Sequence, residues 1–353
     1  MSMTGKSRGA WAVIVAAAWL LATPGAGYAS QTNGDKRQDL KLSKDEQARV
    51  QAAYQLVDGV MRGQPAPEAE AFTIGWRNHF LKAERGQIYV PFTLAIDRAA
   101  LTSPDVTFYV RVVAREATEA AEADKDAKNA PAVYAYEGVW FPTLKASAPG
   151  RPYEISRAFA VAAGEYDVYV AMRETPKDRK AVAKASVLKQ PLSVPDFWNG
   201  ELNTSSVILA DAVAPLAAAL SPEAQVENPY TIGRMQIEPA ADSTFAKSEE
   251  LAVVFLVYNP ALKEKKPDVL VEYRFHQKTA DGEKYFNRTE PNVLNAEGLP
   301  PEFDLTAGYE LVAGQAVSLG PFPPGDYRLE IEVQDKLSQK TLTRDVFFTV
   351  AGS

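Results

Sequence analysis

Few residues of this chain have the types and spacing that catalysis requires. Its 353 residues include two histidines, His79 and His276, and no cysteine. A metal site built from several histidines, or a serine nucleophile with its histidine and acid, needs partners that two separated histidines do not indicate. His79 lies near a predicted strand and His276 on the outward phase of another, so both are interpreted as structural or exposed. Without cysteine there are no thiolate sites and no disulfides.

Carboxylates are numerous, but their spacing matches no recognised site. Asp124, Asp126, Asp281 and Glu283 lie in predicted loops and do not form the D-x-D-x-D-G pattern of a calcium loop. A glycine-rich phosphate loop, a G-x-S-x-G elbow and an H-E-x-x-H helix are also missing. We therefore predict no catalytic residue, no metal and no cofactor. A hydrolase whose two carboxylates meet only in the folded chain is kept as a third hypothesis.

Aromatic residues are the candidates for a binding site. They cluster between positions 76 and 198, and no tryptophan follows position 198. The candidate contacts for a ligand or partner are Trp76, Trp140, Phe141, Phe197 and Trp198. Such rings can simply fill a sandwich core or a joint between domains, which is the favoured interpretation. The functional alternative is a stacking platform for sugars or a set of anchors for a protein partner.

Composition and the N-terminal residues restrict partners and location. The formal charge of −7 argues against an extended phosphate-binding surface, so no nucleic-acid partner is predicted. Residues 1–29 combine Lys6 and Arg8 with an apolar run over 10–22 and small residues ending at Ala29, the pattern of a secretory signal. The run is shorter than the roughly 20 residues of a spanning helix. We predict cleavage near Ala29, a secreted or periplasmic protein, and no membrane span after cleavage.

The elements that would position these residues begin with one helix. Within the polar segment 30–70, Ser43 and Glu46 have the spacing of a capping box. An apolar stripe follows at helical spacing: Val50, Tyr54, Val57 and Met61. We predict a helix over about 44–62, followed by a proline-containing linker. Its stripe is expected to dock on a domain, with a partner-binding helix as the alternative.

From residue 71 onward the pattern is that of β-strands. Large apolar residues alternate with other residues over 88–96, 106–112 and 327–333, as in half-buried antiparallel strands. Pro91 lacks a backbone donor and is expected at a sheet edge or a bulge. A glycine turn leads into a tyrosine that starts a strand at Gly325-Asp326-Tyr327, with a fainter copy at Gly164-Glu165-Tyr166. This arrangement predicts tyrosine corners with a buried ring.

The strand pattern is repeated along the chain. Residues 88–94 match 251–257 at an offset of 163, and Pro104-Asp105-Val106 matches Pro267-Asp268-Val269 at the same offset. Gly164 matches Gly325 at 161, and Thr73-Ile74-Gly75 matches Thr231-Ile232-Gly233 at 158. A fixed offset over two strands and their turn indicates duplication of one unit. We predict a first sandwich over 71–212, a linker over 213–229 and a second sandwich over 230–353.

These motifs resemble a known class of domain. The runs Y-T-I-G from Tyr230, V-x-F-x-V-Y-N from Val253 and P-G-D-Y-R-L from Pro324 are similar to immunoglobulin-like and fibronectin-like units of secreted bacterial proteins. Similar units accompany GWxTD-type and von Willebrand A-type bacterial proteins. The GWxTD signature is absent, because Gly75-Trp76 is followed by Arg77-Asn78. The resemblance implies fold and export, and supplies no catalytic residue.

The sequence thus predicts an all-β protein of two tandem immunoglobulin-like antiparallel sandwiches behind a short helix. The expected function is a non-enzymatic binding or scaffold protein of the cell envelope or extracellular space. Its partner would be a protein, or a second chain paired through sheet edges. The alternative function is carbohydrate binding through the aromatic residues of the first sandwich.

Overall fold

The computed structural model describes residues 42–64, 72–116, 134–146, 150–178 and 181–352. The predicted signal peptide lies outside these residues. The chain divides into two compact units. The first sandwich comprises the described residues up to Asn199 together with Pro222–Pro229, and the second comprises Gly200–Ser221 and the residues from Tyr230 onward.

Helix α1 spans Lys44–Met61 and begins as predicted. The Ser43 backbone N–H donates to Glu46 Oε2 at 2.8 Å, and the Glu46 N–H donates to Ser43 Oγ at 3.2 Å, which completes the capping box. Ala53 and Val57 are buried against strand residues of the first sandwich. The prediction that this helix docks on a domain is therefore confirmed.

The first sandwich has two antiparallel sheets. Its strands are β1 Ile74–Asn78, β2 Leu81–Lys82, β3 Gln87–Ile96, β4 Val106–Ala114, β5 Tyr136–Trp140, β6 Lys145–Ala146, β7 Tyr153–Ala162, β8 Gly164–Glu174 and β9 Ala185–Val194. Sheet I has the order β1-β3-β7-β6 with β2 also on β3, and sheet II the order β5-β4-β8-β9. Rings of Phe92 and Phe159 from sheet I meet those of Phe108 and Tyr136 from sheet II in the core. Helix α1 covers the other face of sheet II, so β4 is buried on both faces.

The second sandwich also has two sheets. Its strands are β10 Asn203–Thr204, β11 Ile208–Pro215, β12 Thr231–Ile232, β13 Met235–Pro239, β14 Thr244–Phe245, β15 Glu250–Tyr258, β16 Val269–Thr279, β17 Gly282–Arg288, β18 Asn292–Leu294, β19 Leu311–Ser318, β20 Gly325–Asp335 and β21 Lys340–Val350. Sheet III has the order β10-β15-β11-β13-β12 with β19 on β15, and sheet IV the order β14-β21-β20-β16-β17 with β18 on β16. Alternate residues of the long strands, such as Phe255, Phe275 and Tyr327, fill one core between the two sheets. The predicted all-β sandwich fold is confirmed.

Strand pairing repeats between the two sandwiches, with equal register in three pairs of strands. Three strand pairs of the first sandwich have counterparts in the second. Ile88 lies opposite Val161 as Leu251 lies opposite Val317, and Phe108 lies opposite Met172 as Val271 lies opposite Val333. Gly164 likewise lies opposite Val194 as Gly325 lies opposite Val350. Equal registers on three strand pairs are what duplication of one unit produces.

Two details of the predicted repeat differ from the structure. Ile74 lies in β1, which pairs directly with β3, whereas Ile232 lies in β12, which pairs only with the added strand β13. The match between their Thr-Ile-Gly motifs is therefore not structural equivalence. Residues 206–209 were expected in the first sandwich, but β11 pairs with β15 and β13 of the second. The predicted linker likewise contains the end of β11 and a short helix, α2, at Pro222–Glu227.

Pro91 occupies a central strand instead of an edge. Strand β3 lies between β7 and the segment formed by β1 and β2. Pro91 accepts a hydrogen bond from the His79 N–H at 3.0 Å, at the interruption between β1 and β2. The N and C=O of a strand residue point to the same side, so the missing proline donor faces this interruption and no ladder bond is lost.

Candidate functional site

The five predicted aromatic contacts do not form a common platform. Trp76 stacks on Phe92 with ring centroids 4.6 Å apart, and its Nε1 donates to Asn78 Oδ1 at 2.9 Å. Trp140 stacks on Phe108 at 4.9 Å. Because Phe92 and Phe108 also touch, these two tryptophans extend the core of the first sandwich to its margins. Both tryptophans therefore pack against core rings of the first sandwich.

The other three candidates have different surroundings. Phe141 is half-buried, with the Arg49 guanidinium carbon 5.1 Å from its ring centroid, and Phe197 is buried. Trp198 is 44% exposed, its Nε1 donates to the Gln87 carbonyl at 3.0 Å, and Lys82 Nζ lies 4.1 Å from its ring centroid. Trp198 is thus the one predicted aromatic that offers substantial exposed ring surface.

The two histidines occupy different environments. Burial, together with the charge of Arg77, lowers the pKa of His79 to about 4, so this imidazole is neutral near neutral pH. His276 lies on the outward phase of β16, as predicted, with Nε2 3.8 Å from Glu330 Oε2. Among the described residues, no group of three or more His, Asp or Glu side chains is placed to hold a metal ion.

A second candidate site lies on the outer face of sheet IV, the face turned away from the core. Four residues form one continuous row across β17, β16, β20 and β21: Tyr285, His276, Arg328 and Phe347. Tyr285 is 59% exposed and Phe347 51% exposed, while the two central residues are half-buried. The row therefore places two exposed rings on either side of a polar centre.

The next row of the same face is divided by charge. Arg288 and Arg274 lie on β17 and β16, and Glu330 and Asp345 lie opposite them on β20 and β21. One half of the row is thus cationic and the other anionic. The following row brings Glu272 beside Glu332.

Ion pairs within the chain fix these side chains. Arg328 Nη1 lies 2.6 Å from Asp345 Oδ1 and 3.0 Å from Glu330 Oε2, and Arg274 Nη1 lies 3.1 Å from Glu330 Oε1 and 3.0 Å from Glu332 Oε2. Hydrogen bonds from Arg328 and then from Arg274 hold the pKa of Glu330 below its usual range. These contacts hold the charged side chains in place before any partner arrives.

This face contains the chemistry of an interaction surface and was missed at the sequence level. Aromatic residues and arginine are the side chains enriched in protein interfaces. One signal was available, since Phe347 and Phe348 are adjacent in a strand and only one of them can face the core. The position of Phe347 relative to Tyr285 depends on the pairing of four strands, which no short sequence pattern shows.

The fold consists of two mainly antiparallel β-sandwiches. Solved structures that it resembles include the fibronectin(III)-like modules of CbhA from Clostridium thermocellum, with 12% identity over 75% of this chain and 85% of that chain and a TM-score of 0.17. E. coli alpha-2-macroglobulin also matches, with 9% identity over 80% of this chain, 15% of that chain and a TM-score of 0.21. These values carry no argument about function. No family model and no curated protein sequence matches.

Proposed function

We propose that this chain is an exported, non-enzymatic binding or scaffold protein of the cell envelope or extracellular space. Its working surface is the outer face of sheet IV, where it binds a protein partner. The row with Tyr285 and Phe347 at its ends carries this proposal. Two large exposed rings on one sheet face are available for burial, and the central arginine can make directional hydrogen bonds.

The position of this face on long strands supports the proposal. Strands β16, β20 and β21 each contain 11 residues, and neighbouring strands pair over nine and 11 positions. A surface on such a sheet changes little on binding, so it loses less entropy than a loop would. Within the described residues, no helix has both the length and the apolar character needed to span a bilayer.

The test is capture of a partner from envelope extracts with the full chain as bait. We expect the double variant Tyr285→Ser with Phe347→Ser to lose the partner. The matched control is Leu262→Ser with Leu337→Ser, because these residues are also exposed apolar side chains, at 39% and 37%, and lie outside the row. Equal capture by all three proteins would show that this face is not the binding surface.

Trp198 supports the carbohydrate alternative, because its ring is the one exposed ring among the predicted contacts. A glycan array with the full chain separates the two functions. Glycan binding that is lost in Trp198→Ala and retained in the Tyr285/Phe347 variant would favour carbohydrate binding. Turnover of a glycan or peptide by the purified protein would instead overturn the non-enzymatic assignment.

A further inference from the structure

We propose that the partner bound by the outer face of sheet IV is a second copy of this chain. The two copies would face each other across a two-fold axis that runs parallel to the strands and passes between β16 and β20. This inference rests on the proposed function, since it names the occupant of the same face. It follows from how the rows of that face match their own rotated image.

A rotation of this kind has a simple effect on a four-stranded face. It places β16 of one copy opposite β20 of the other, and β17 opposite β21, while each row remains opposite the same row. A twofold contact is self-complementary only when each residue suits the residue of the other copy that it faces. The strand pairing gives each residue's place in its row, so each match can be checked.

The aromatic row suits this rotation. Tyr285 of one copy comes opposite Phe347 of the other, at both ends of the row. Aromatic pairs are favourable beyond the area they bury. In the centre, His276 of one copy comes opposite Arg328 of the other. The rotation thus buries all four exposed rings of the dimer against each other.

The charged row suits it as well. The cationic half, Arg288 and Arg274, comes opposite the anionic half, with Arg288 facing Asp345 and Arg274 facing Glu330. Lys278, one position beyond the last pair of β16 with β20, comes opposite Asp326. Because the charges are split between the two halves of the face, the rotation brings opposite signs together.

One row opposes the arrangement. Glu272 comes opposite Glu332, so two carboxylates face each other at two symmetric places. Both are already paired with Arg274 of their own chain: Glu272 lies 2.5 Å from its Nη2, and Glu332 lies 3.0 Å from its Nη1. The single charge of Arg274 offsets part of this repulsion, and the row lies two residues along the strand from the charged centre.

The size and shape of the face are those of a stable interface. Strands β16, β20 and β21 are about 36 Å long and β17 is about 23 Å long, so at a spacing of about 4.8 Å they present roughly 600 Å² on each copy. Standard protein interfaces bury about 800 Å² on each partner. Two twisted sheets also pack well face to face with their strands nearly aligned, which is the orientation that this axis produces.

The experiment measures the association state of the full chain by sedimentation over a wide range of protein concentration. We expect a monomer–dimer equilibrium in the parent protein. Arg288→Asp alone and Asp345→Arg alone should each weaken the dimer by about a hundredfold, because like charges then face each other at two symmetric places. The two changes together should restore most of the affinity. The matched control is Lys247→Glu, a charge reversal at an exposed position outside the face.

The outcomes distinguish this inference from the proposed function. A parent protein that is monomeric at all concentrations overturns the dimer, and capture of another protein through Tyr285 and Phe347 would then leave the proposed function intact. A dimer that persists in Arg288→Asp, in Asp345→Arg and in the Tyr285/Phe347 serine variant places its interface elsewhere and also overturns the inference. A thermal melt of each variant identifies any loss of dimer that results from unfolding. If a charge variant is unfolded, the association state of the Tyr285/Phe347 serine variant tests the inference instead.

Discussion

Glu174 and Asp335 occupy the same position in the two sandwiches. Each is the last residue of its strand, β8 or β20, and each lies opposite the first residue of the neighbouring strand, Val106 or Val269. Both carboxylates are buried, with 0% and 1% of the residue exposed. The duplicated unit therefore retains a buried acid at one end of its central strand pair.

Both acids bind the ends of loops. Glu174 accepts hydrogen bonds from the Thr102 N–H at 2.8 Å and the Lys184 N–H at 3.0 Å, and Asp335 accepts from the Ala261 N–H at 2.7 Å and the Ser338 hydroxyl at 2.6 Å. Burial alone would raise the pKa of each group, but these hydrogen bonds to the ionised form outweigh it and lower the pKa.

The first prediction concerns acid stability. A lowered pKa in the folded state stabilises the protein above the unfolded pKa of about 4, and this stabilisation is lost as the pH falls through the folded pKa. Glu174→Gln and Asp335→Asn should each lower the free energy of unfolding by about 2 kcal/mol at neutral pH. Their melting temperatures should approach that of the parent protein below pH 4. Equal melting curves at neutral pH for these variants and for the exposed-site control Glu84→Gln would contradict the prediction.

The sequence was sufficient for the parts of the fold that depend on local patterns. The capping box at Ser43 and the alternation around Tyr327 depend on residues within one or two turns or along one strand. The matches at an offset of 163 for residues 106–112 and of 161 for Gly164 also identified β16 and β20 as the counterparts of β4 and β8, and the two strand pairs share one register. The capping box, the strand alternation and the repeat could therefore be predicted from the sequence alone.

The parts that failed depend on distant partners. Ile208 has the character of a strand residue in either sandwich, and only its pairing opposite Val254 assigns it to the second. In the same way, the sequence makes Trp140 a candidate binding residue, and only the structure shows that its ring stacks on Phe108. The row on sheet IV joins residues 62 positions apart in sequence, Tyr285 and Phe347, so no motif contains it.

The second prediction concerns the tyrosine corners. The Tyr327 hydroxyl donates to the Pro323 carbonyl at 2.7 Å, and the Tyr166 hydroxyl donates to the Ala162 carbonyl at 3.0 Å, four residues back in each case. The Tyr327 ring is fully buried, as the predicted corner requires, so it is not available to a ligand. Tyr327→Phe should lower the free energy of unfolding by about 1 kcal/mol, and Tyr327→Ala by about 3–5 kcal/mol. Chemical denaturation measures both, with the exposed Tyr285→Phe as control. If Tyr327→Ala melts with the parent protein, the corner is not structural.

The third prediction concerns close packing of two strands. A Cβ at Gly314 would lie 2.5 Å from the Val253 backbone oxygen, which cannot move without displacing β15. Gly314→Ala should therefore lower the free energy of unfolding by about 1–3 kcal/mol. Gly320→Ala is the matched control, since its Cβ would meet only Ser318 Oγ at 3.6 Å. A melt in which both variants match the parent protein would show that β15 and β19 can separate at this point.

The last prediction concerns Arg111, which anchors helix α1. This residue is 4% exposed and lies under the helix, with Nη1 2.5 Å from Asp58 Oδ1 and Nε 3.3 Å from Glu137 Oε1. Its guanidinium carbon also lies 4.1 Å from the ring centroid of Tyr134. A buried cation with partners on the helix and on the sheet fixes the helix in one position, whereas the apolar contacts of Val57 alone would tolerate sliding.

Removal of this cation should loosen α1 before it unfolds the sandwich. Arg111→Ala deletes both ion pairs and the ring contact and should lower the free energy of unfolding by about 3 kcal/mol. Asp58→Ala should have a smaller effect, about 1 kcal/mol, because the Asp58 carboxylate is 40% exposed and its charge is screened by water. Limited trypsin digestion reports on the helix directly, since Arg49 and Arg62 lie in and just beyond it. We expect faster cleavage there in Arg111→Ala than in the control Arg328→Ala, whose ion pairs lie on sheet IV. Cleavage at the parent rate would mean that the apolar stripe alone holds α1 on the sheet.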